Sequence, residues 1–135
     1  MVINSFEANT LVEEWFPMKI FHITEKKIWE NALREGRYLP EGYNEDGFIH
    51  CSELDQVLDV ADAFYSGQDD LVLLEIDSHR VNFPVKYEST EGNEKRFPHL
   101  YGPLILEAVL QVYLFNPDDE GGFRIPEGLI DSGDC

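Results

Sequence analysis

One short segment in the middle of the chain constrains the fold more than any other. Residues 71–76 read Leu-Val-Leu-Leu-Glu-Ile, so a strand here carries apolar side chains on both faces. Such a strand has to be covered on both faces. The chain has 135 residues, which suits one domain whose core needs no disulfide or metal to hold it. We therefore predict a single domain built around this strand.

The hydrophobic pattern around that strand predicts an α+β fold, with two short N-terminal β-α units followed mainly by β-strands. A first helix is predicted to begin at the N-cap Thr24 and to end at Gly36. A second begins at Ser52, whose Ser-x-x-Asp start resembles a capping box. Strands are predicted over 19–23, 48–51, 71–76, 85–88, 108–115 and 123–126, and loops over 37–47 and 89–96.

Charge is distributed unevenly along the chain. Residues 1–17 contain three acidic residues and no Lys or Arg, whereas 101–135 contain seven acidic residues and one Arg. We predict an acidic N-terminal extension over 1–17, a single domain over 18–126 and an acidic C-terminal tail over 127–135. The domain is expected to fold without the extension.

The composition also disfavours several classes of partner. With 27 acidic and 10 basic residues the formal charge is -17, which largely removes the attraction that drives binding to duplex nucleic acid or to anionic membranes. Two cysteines form no disulfide framework, and the N-terminus lacks the features of a secretory signal. We expect a cytoplasmic protein with neither kind of partner, and the sequence leaves its oligomeric state open.

Three of the four histidines lie in segments where histidine is unusual. His22 and His50 lie in predicted apolar strands, and His99 lies in the Pro- and Gly-rich segment 97–104. A buried histidine needs hydrogen-bond partners for its ring nitrogens, so the three residues indicate a shared cleft with a catalytic role. The alternative is three separate structural roles. Tyr101 lies in the same rigid segment and is a candidate ligand-binding residue.

Ser52 and Cys51 follow His50 directly. Ser52 is a second candidate ligand-binding residue, because the free N–H groups of the predicted helix start attract an anion. Neighbouring residues of a strand point to opposite faces, which excludes a Cys51–His50 nucleophilic pair and predicts Cys51 in the core. His79 is predicted to be a turn residue.

Common catalytic and cofactor motifs are absent from the sequence. Neither a phosphate-binding loop nor a dinucleotide-binding glycine pattern occurs, and zinc-site spacings and the hydrolase elbow are missing as well. A metal site built from His22, His50 and His99 is an alternative, which we rank below a cleft for an organic ligand.

The sequence resembles domain-of-unknown-function family 952, a group of small, mostly bacterial proteins. The resemblance lies in four segments, 21–23, 47–52, 73–77 and 97–104. The strings FIHCS and FPHLYGPL within them carry most of the resemblance, which covers about 18–126. The resemblance implies an ADP-ribosyltransferase-like split sheet that binds NAD in a cleft between two small sheets.

The resemblance also implies residue roles. It places His22 against the ribose of the ligand and His50 on the nicotinamide side, with His99 or Tyr101 as a third residue. Many active transferases of this kind use a glutamate from a late strand. Glu107 is a candidate for this residue, but no motif around it identifies it as such. A small pKa shift would make either of the first two histidines cationic. Basic residues that could neutralise phosphates are Arg37, Arg80, Lys86 and Arg96.

The expected function is therefore an ADP-ribosyltransferase-like domain with a histidine-lined cleft for NAD or an ADP-ribose-type ligand, with transferase or glycohydrolase-type activity. NAD is the expected cofactor or substrate. A non-catalytic ligand-binding or protein-interaction module on the same fold is the alternative.

Overall fold

The computed structural model describes residues 18–40, 42–89, 92 and 94–129, which form a single α+β domain. The predicted extension over 1–17 and residues 130–135 lie outside the described residues. The strands are β1 (Lys19–Glu25), β2 (Arg37–Tyr38), β3 (Ile49–His50), β4 (Leu71–Asp77), β5 (Val85–Glu88), β6 (Phe97–Leu100), β7 (Leu104–Ile105) and β8 (Val109–Leu114). The helices are α1 (Lys26–Glu35), α2 (Tyr43–Asp46) and α3 (Val57–Phe64), with 3₁₀ turns at Leu54–Gln56 and Leu106–Ala108.

Three antiparallel sheets organise the described residues, with strand orders β1-β4-β8, β2-β7 and β3-β6-β5. The central strand β4 is buried along its whole length. Val72, Leu74 and Ile76 point into one core cluster, together with buried residues of α1, and Leu71 and Leu73 point into a second, together with buried residues of α3. The prediction of a strand covered on both faces is confirmed.

Helix α1 begins later than its predicted N-cap implies. Strand β1 continues through Glu25, and Thr24 pairs in register with Val72 of β4, so the prediction that Thr24 caps the helix is wrong. At the other end, Gly36 has a φ of 87°, and its N–H donates to the carbonyl of Ala32 over 2.8 Å. The predicted glycine cap is confirmed.

The second helical segment also begins differently from its prediction. Its capping box forms at Glu53, whose backbone N–H donates to Oε1 of Gln56 over 2.9 Å, so Ser52 is not the N-cap. Ser52 instead exchanges two backbone hydrogen bonds with Phe21 of β1, over 2.8 and 2.7 Å. This bridge connects the sheet β1-β4-β8 to the sheet β3-β6-β5.

The sheet β3-β6-β5 has two unlike faces. Ile49 of β3 and Leu100 of β6 pair with each other and belong to the first core cluster. The next row of the sheet consists of His50, His99 and Lys86, which lie opposite one another in register. Because side chains alternate along a strand, this row lies on the face away from that core.

Other local predictions also meet a different structure. The predicted loop over 37–47 contains β2 and α2, and 123–126 contains no strand. Gly102 does not have a positive φ; a Cβ added there would lie 2.1 Å from Cγ of Phe83. Leu129, in the predicted tail, is buried in the second core cluster. No helix among the described residues is long and apolar enough to cross a bilayer.

Candidate functional site

A cavity of about 630 Å³ opens between β1, the segment 38–48, α3 and β6. His22, His50, His99 and Ser52 all lie in its wall, so the structure brings together four of the five predicted site residues. Tyr101 is not part of the wall and approaches the site through its contacts with other residues. Aromatic side chains in the wall are Tyr38, Tyr43, Phe48, Phe64, Tyr65 and Phe97.

His22 is held from both ends of its ring. Its Nδ1 lies 2.5 Å from the carbonyl oxygen of His50, and its Nε2 lies 2.7 Å from the hydroxyl of Tyr38. Burial lowers the pKa of His22 to about 4, although the hydrogen bond to the carbonyl acts in the opposite direction. The ring is therefore neutral at neutral pH, and the expectation that it becomes cationic after a small shift is wrong.

The partners of the His22 ring determine its tautomer. A carbonyl can only accept, so Nδ1 carries the proton, and Nε2 of the neutral ring accepts from the Tyr38 hydroxyl. That hydroxyl stays protonated, because burial raises the pKa of Tyr38. Its oxygen lies 2.9 Å from Oγ1 of Thr24, which extends the network to the end of β1. With both ring nitrogens engaged inside the protein, His22 has none left to bond the ribose of a ligand as expected.

His50 is the exposed histidine of the cavity, with 56 % of its side chain accessible. Its Nε2 lies 3.0 Å from Oδ2 of Asp46, at the end of the short helix α2. The carboxylate can only accept, so Nε2 carries the proton of a neutral ring, and Nδ1 is the nitrogen that His50 can offer to a ligand.

His99 is almost completely buried, at 1 % exposure. Its Nδ1 lies 3.0 Å from Oε1 of Glu88, and the hydroxyl of Tyr101 donates to the same oxygen over 2.5 Å. These bonds, first that from Tyr101 and then that from His99, lower the pKa of Glu88, and the bond to the carboxylate raises the pKa of Tyr101. An ionised Glu88 therefore accepts from a protonated Tyr101 and from Nδ1–H of His99.

Phe48 connects the two carboxylate–histidine pairs. Its ring stacks on His99 at a centroid distance of 4.0 Å and meets the ring of His50 edge-on at 4.7 Å. The two imidazoles are 5.3 Å apart. Gly47, with a φ of 81°, turns the chain from α2 into this position. One half-buried aromatic ring thus covers His99 and contacts His50.

The three other residues singled out by the sequence have structural positions. Ser52 lies in the cavity wall, but its backbone is committed to β1 and it begins no helix, so the anion site expected at a helix start is absent there. Cys51 belongs to the first core cluster, and burial raises the pKa of its thiol to about 12, as expected for a core residue. The backbone of His79 donates to Asp77 in a turn, as predicted.

The charged residues of the wall differ from those expected. The wall contains the acidic residues Glu25, Asp46 and Asp59, with Lys95 as its basic member. The four basic residues considered for phosphate neutralisation are not in the wall; Lys86 lies over the ring of Tyr101, with its Nζ 5.0 Å from the ring centroid. Glu107 is also outside the wall.

Several residues of the site carry no signal in the sequence. Glu88 and Lys95 lie in polar stretches without a motif, and Tyr38 and Asp46 lie in a segment predicted to be a loop. The short separation of β5 and β6 in the sequence could have suggested that these strands pair. The register of their pairing, which brings Glu88 close to His99, is visible only in the folded structure. Among the described residues, no group of three or more His, Cys, Asp or Glu side chains could hold a metal ion, so the three-histidine metal site is not formed there.

The family model described as "Protein of unknown function (DUF952)" matches residues 23–112. The chain belongs to this family. The resemblance seen in the sequence is therefore confirmed at the level of the family. His50 and His99, with their carboxylate partners, lie inside the matched residues, and His22 lies one residue before them.

Two solved structures are similar to this DUF952 chain. The X-ray structure of protein CC0527 from Caulobacter crescentus has 31% sequence identity and a TM-score of 0.75, and the match covers 84% of this chain and 99% of that chain. The solution NMR structure of CC0527 has 32% identity and a TM-score of 0.69, covering 77% of this chain and 90% of that chain. No curated protein matches the chain.

Proposed function

We propose that this chain binds NAD or an ADP-ribose-type ligand in the cavity beside Phe48, within an ADP-ribosyltransferase-like arrangement of small sheets. The observation that carries the proposal is the convergence of His50, His99 and a set of aromatic rings on one cavity of about 630 Å³. That volume lies in the range of small-molecule sites, which are commonly apolar with a few polar groups that orient the ligand.

The charges of the wall favour one orientation of such a ligand. Aromatic faces and carboxylates attract a cationic ring, and the nicotinamide ring of NAD is cationic. Asp46 and Phe48 lie at the His50 side of the cavity, so the ring is proposed to bind there. The pyrophosphate is proposed to lie toward Lys95, a basic residue of the wall.

His50 and His99 are the proposed catalytic residues, since both lie in the wall and each is oriented by a carboxylate at one ring nitrogen. Tyr101 acts from behind the wall, through Glu88. His22 lies in the wall and acts through its bonds to β3 and Tyr38. Proton transfer by a positioned imidazole is the chemistry that such a pair of residues supplies.

Calorimetric titration with NAD and with ADP-ribose tests the proposal. Wild type is expected to bind, and His50→Ala is expected to bind about tenfold more weakly, the effect of about 1.4 kcal/mol. His79→Ala, which changes an exposed histidine in a turn, is the matched control and should bind as wild type does. If neither nucleotide binds wild type at millimolar concentration, the proposal is wrong.

A second candidate function is ligand binding without turnover. Cleavage of the glycosidic bond of NAD needs a carboxylate that stabilises an oxocarbenium-like state. Asp46 and Glu88 are each hydrogen-bonded to an imidazole, and Glu107 is not in the wall. The other carboxylates of the wall, Glu25 and Asp59, come from β1 and α3 rather than from a late strand. Chromatographic measurement of nicotinamide release separates the two candidates: binding without release supports the non-catalytic module, whereas release that requires His99 supports the enzyme.

A further inference from the structure

Glu88 makes two hydrogen bonds beside the cavity that no sequence motif indicates. This residue is the last of β5, next to the strand that carries His99. A single oxygen, Oε1, lies within hydrogen-bond distance of both Nδ1 of His99 and the hydroxyl of Tyr101. A carboxylate that receives two donors on one oxygen is fixed in position more firmly than a carboxylate with one partner.

We propose that Glu88 is a positioning residue of the cavity, which holds His99 as the Nδ1–H tautomer so that Nε2 meets the ligand as a hydrogen-bond acceptor. The inference deepens the proposed function and rests on it for the identity of the ligand. It predicts that the ligand offers an O–H or N–H group to His99, such as a hydroxyl or a carboxamide.

The physical reason lies in the two nitrogens of a neutral imidazole. One nitrogen carries the proton and the other accepts, and the hydrogen bond at one nitrogen sets the role of the other. Glu88 can only accept, so it draws the proton to Nδ1. The ring cannot easily turn over to exchange its nitrogens, because Phe48 stacks on it at 4.0 Å and the residue is 1 % exposed.

Tyr101 supports the carboxylate in this scheme. Its hydroxyl donates to Glu88 over 2.5 Å, which keeps the carboxylate ionised and directed at β6. Lys86, opposite His99 in register, places its ammonium 5.0 Å from the centroid of the Tyr101 ring and so contributes to the same cluster. The sequence-based expectation that Tyr101 binds the ligand directly is replaced here by a role through Glu88.

The test is a long-range nitrogen–proton NMR spectrum of the histidine rings, recorded on the full chain at a pH where the rings are neutral. Wild type is expected to show His99 protonated at Nδ1 and bare at Nε2. Glu88→Ala is expected to shift the population toward the Nε2–H form. Glu88→Gln keeps an oxygen that accepts from Nδ1–H and should retain the wild-type tautomer. If only the negative charge of Glu88 mattered, Glu88→Gln would behave like Glu88→Ala.

NAD affinity, measured on the same samples, gives the functional half of the test. Glu88→Ala is expected to lose about tenfold in affinity or more, Glu88→Gln less, and Glu35→Ala, at the exposed end of α1, nothing. A wild-type His99 in the Nε2–H form, a tautomer unchanged in Glu88→Ala, or a changed tautomer with unchanged affinity would overturn the inference. If wild type shows the expected tautomer and binds no NAD, the positioning role stands and the proposed ligand is wrong.

Discussion

Strands β4 and β6 are both central strands of three-stranded antiparallel sheets, and they differ in what their faces meet. Both faces of β4 meet core clusters, so its side chains are selected for volume and shape. One face of β6 meets the core through Leu100, and the other presents His99 to Phe48 and the cavity. The comparison shows a strand that meets the core on both faces and a strand that leaves one face toward the cavity.

Two glutamates repeat the difference on a smaller scale. Glu75 in β4 is buried; its Oε1 accepts from Tyr113 over 2.8 Å, and its Oε2 lies 2.8 Å from Nζ of Lys19. Both partners come from the flanking strands, so this carboxylate is satisfied within its own sheet. Glu88 in β5 is satisfied by His99 and Tyr101, and one of these two partners lies in the cavity wall.

The largest expected effect comes from truncating the central core strand. Leu74→Ala should lower the free energy of unfolding by about 4 kcal/mol, because the side chain is fully buried and its removal leaves a void in the core that the neighbouring side chains cannot fill completely. His50→Ala changes the outer face of the sheet β3-β6-β5 and should lower the free energy of unfolding by no more than about 1 kcal/mol. Urea unfolding followed by circular dichroism measures both losses. Equal losses would contradict the contrast between the buried strand β4 and the outer face of the sheet β3-β6-β5.

His22 lies where the two sheets meet, and its burial predicts a pH-dependent stability. The unfolded chain takes up this proton near 6.5, the ordinary pKa of a histidine, whereas the folded chain does so near 4. Between these values the unfolded state binds more protons, so stability is lost as the pH falls through that window. The contribution is on the order of 3 kcal/mol.

Urea unfolding over a pH series measures this contribution as the difference between wild type and His22→Gln. His79→Gln should follow the wild-type curve, since it removes an exposed histidine. NMR titration of the His22 ring gives the folded pKa directly, which keeps the prediction testable if the variant does not fold. A folded pKa at the ordinary histidine value would show that the ring is not held as a buried neutral group.

The smallest expected effect concerns the connection that follows β6. Gly102→Ala should lower the free energy of unfolding by about 2 kcal/mol, because the new Cβ would lie 2.1 Å from Cγ of Phe83. Phe83→Gly removes all the clashing carbons, including the Phe83 Cβ at 2.7 Å, so adding it to Gly102→Ala should cost less than the sum of the two single changes. Additive losses in thermal unfolding would show that the glycine is needed for another reason.

The sequence predicted the parts of the fold that depend on local pattern. The apolar run of β4, the glycine cap of α1 and the position of Cys51 in the core follow from side-chain periodicity and backbone preference. The predicted starts of the two helices are wrong because strand pairing outcompetes a local cap: Thr24 pairs with β4, and Ser52 pairs with β1. Those contacts are distant in sequence, so no local pattern shows them.

The candidate site was predictable to the same extent. A histidine in a predicted apolar strand indicated His50, and a histidine in a rigid Pro- and Gly-rich segment indicated His99. The partners themselves, Asp46 and Glu88, could not be identified, since acidic residues are frequent throughout this chain and pairing register selects among them. The role of His22 was also out of reach, because its bond to a backbone carbonyl leaves no trace in the residue types.

The bond between His22 and the main chain of residue 50 makes the contact between the sheets independent of the side chain at position 50. Its acceptor is the main-chain carbonyl, so every amino acid at position 50 offers the same atom to the ring of His22. The side chain at position 50, which faces the cavity, is free to vary without loosening the joint between the sheets. Single substitutions at position 50 should therefore change the side chain that faces the cavity while the bond from His22 to the main chain is kept.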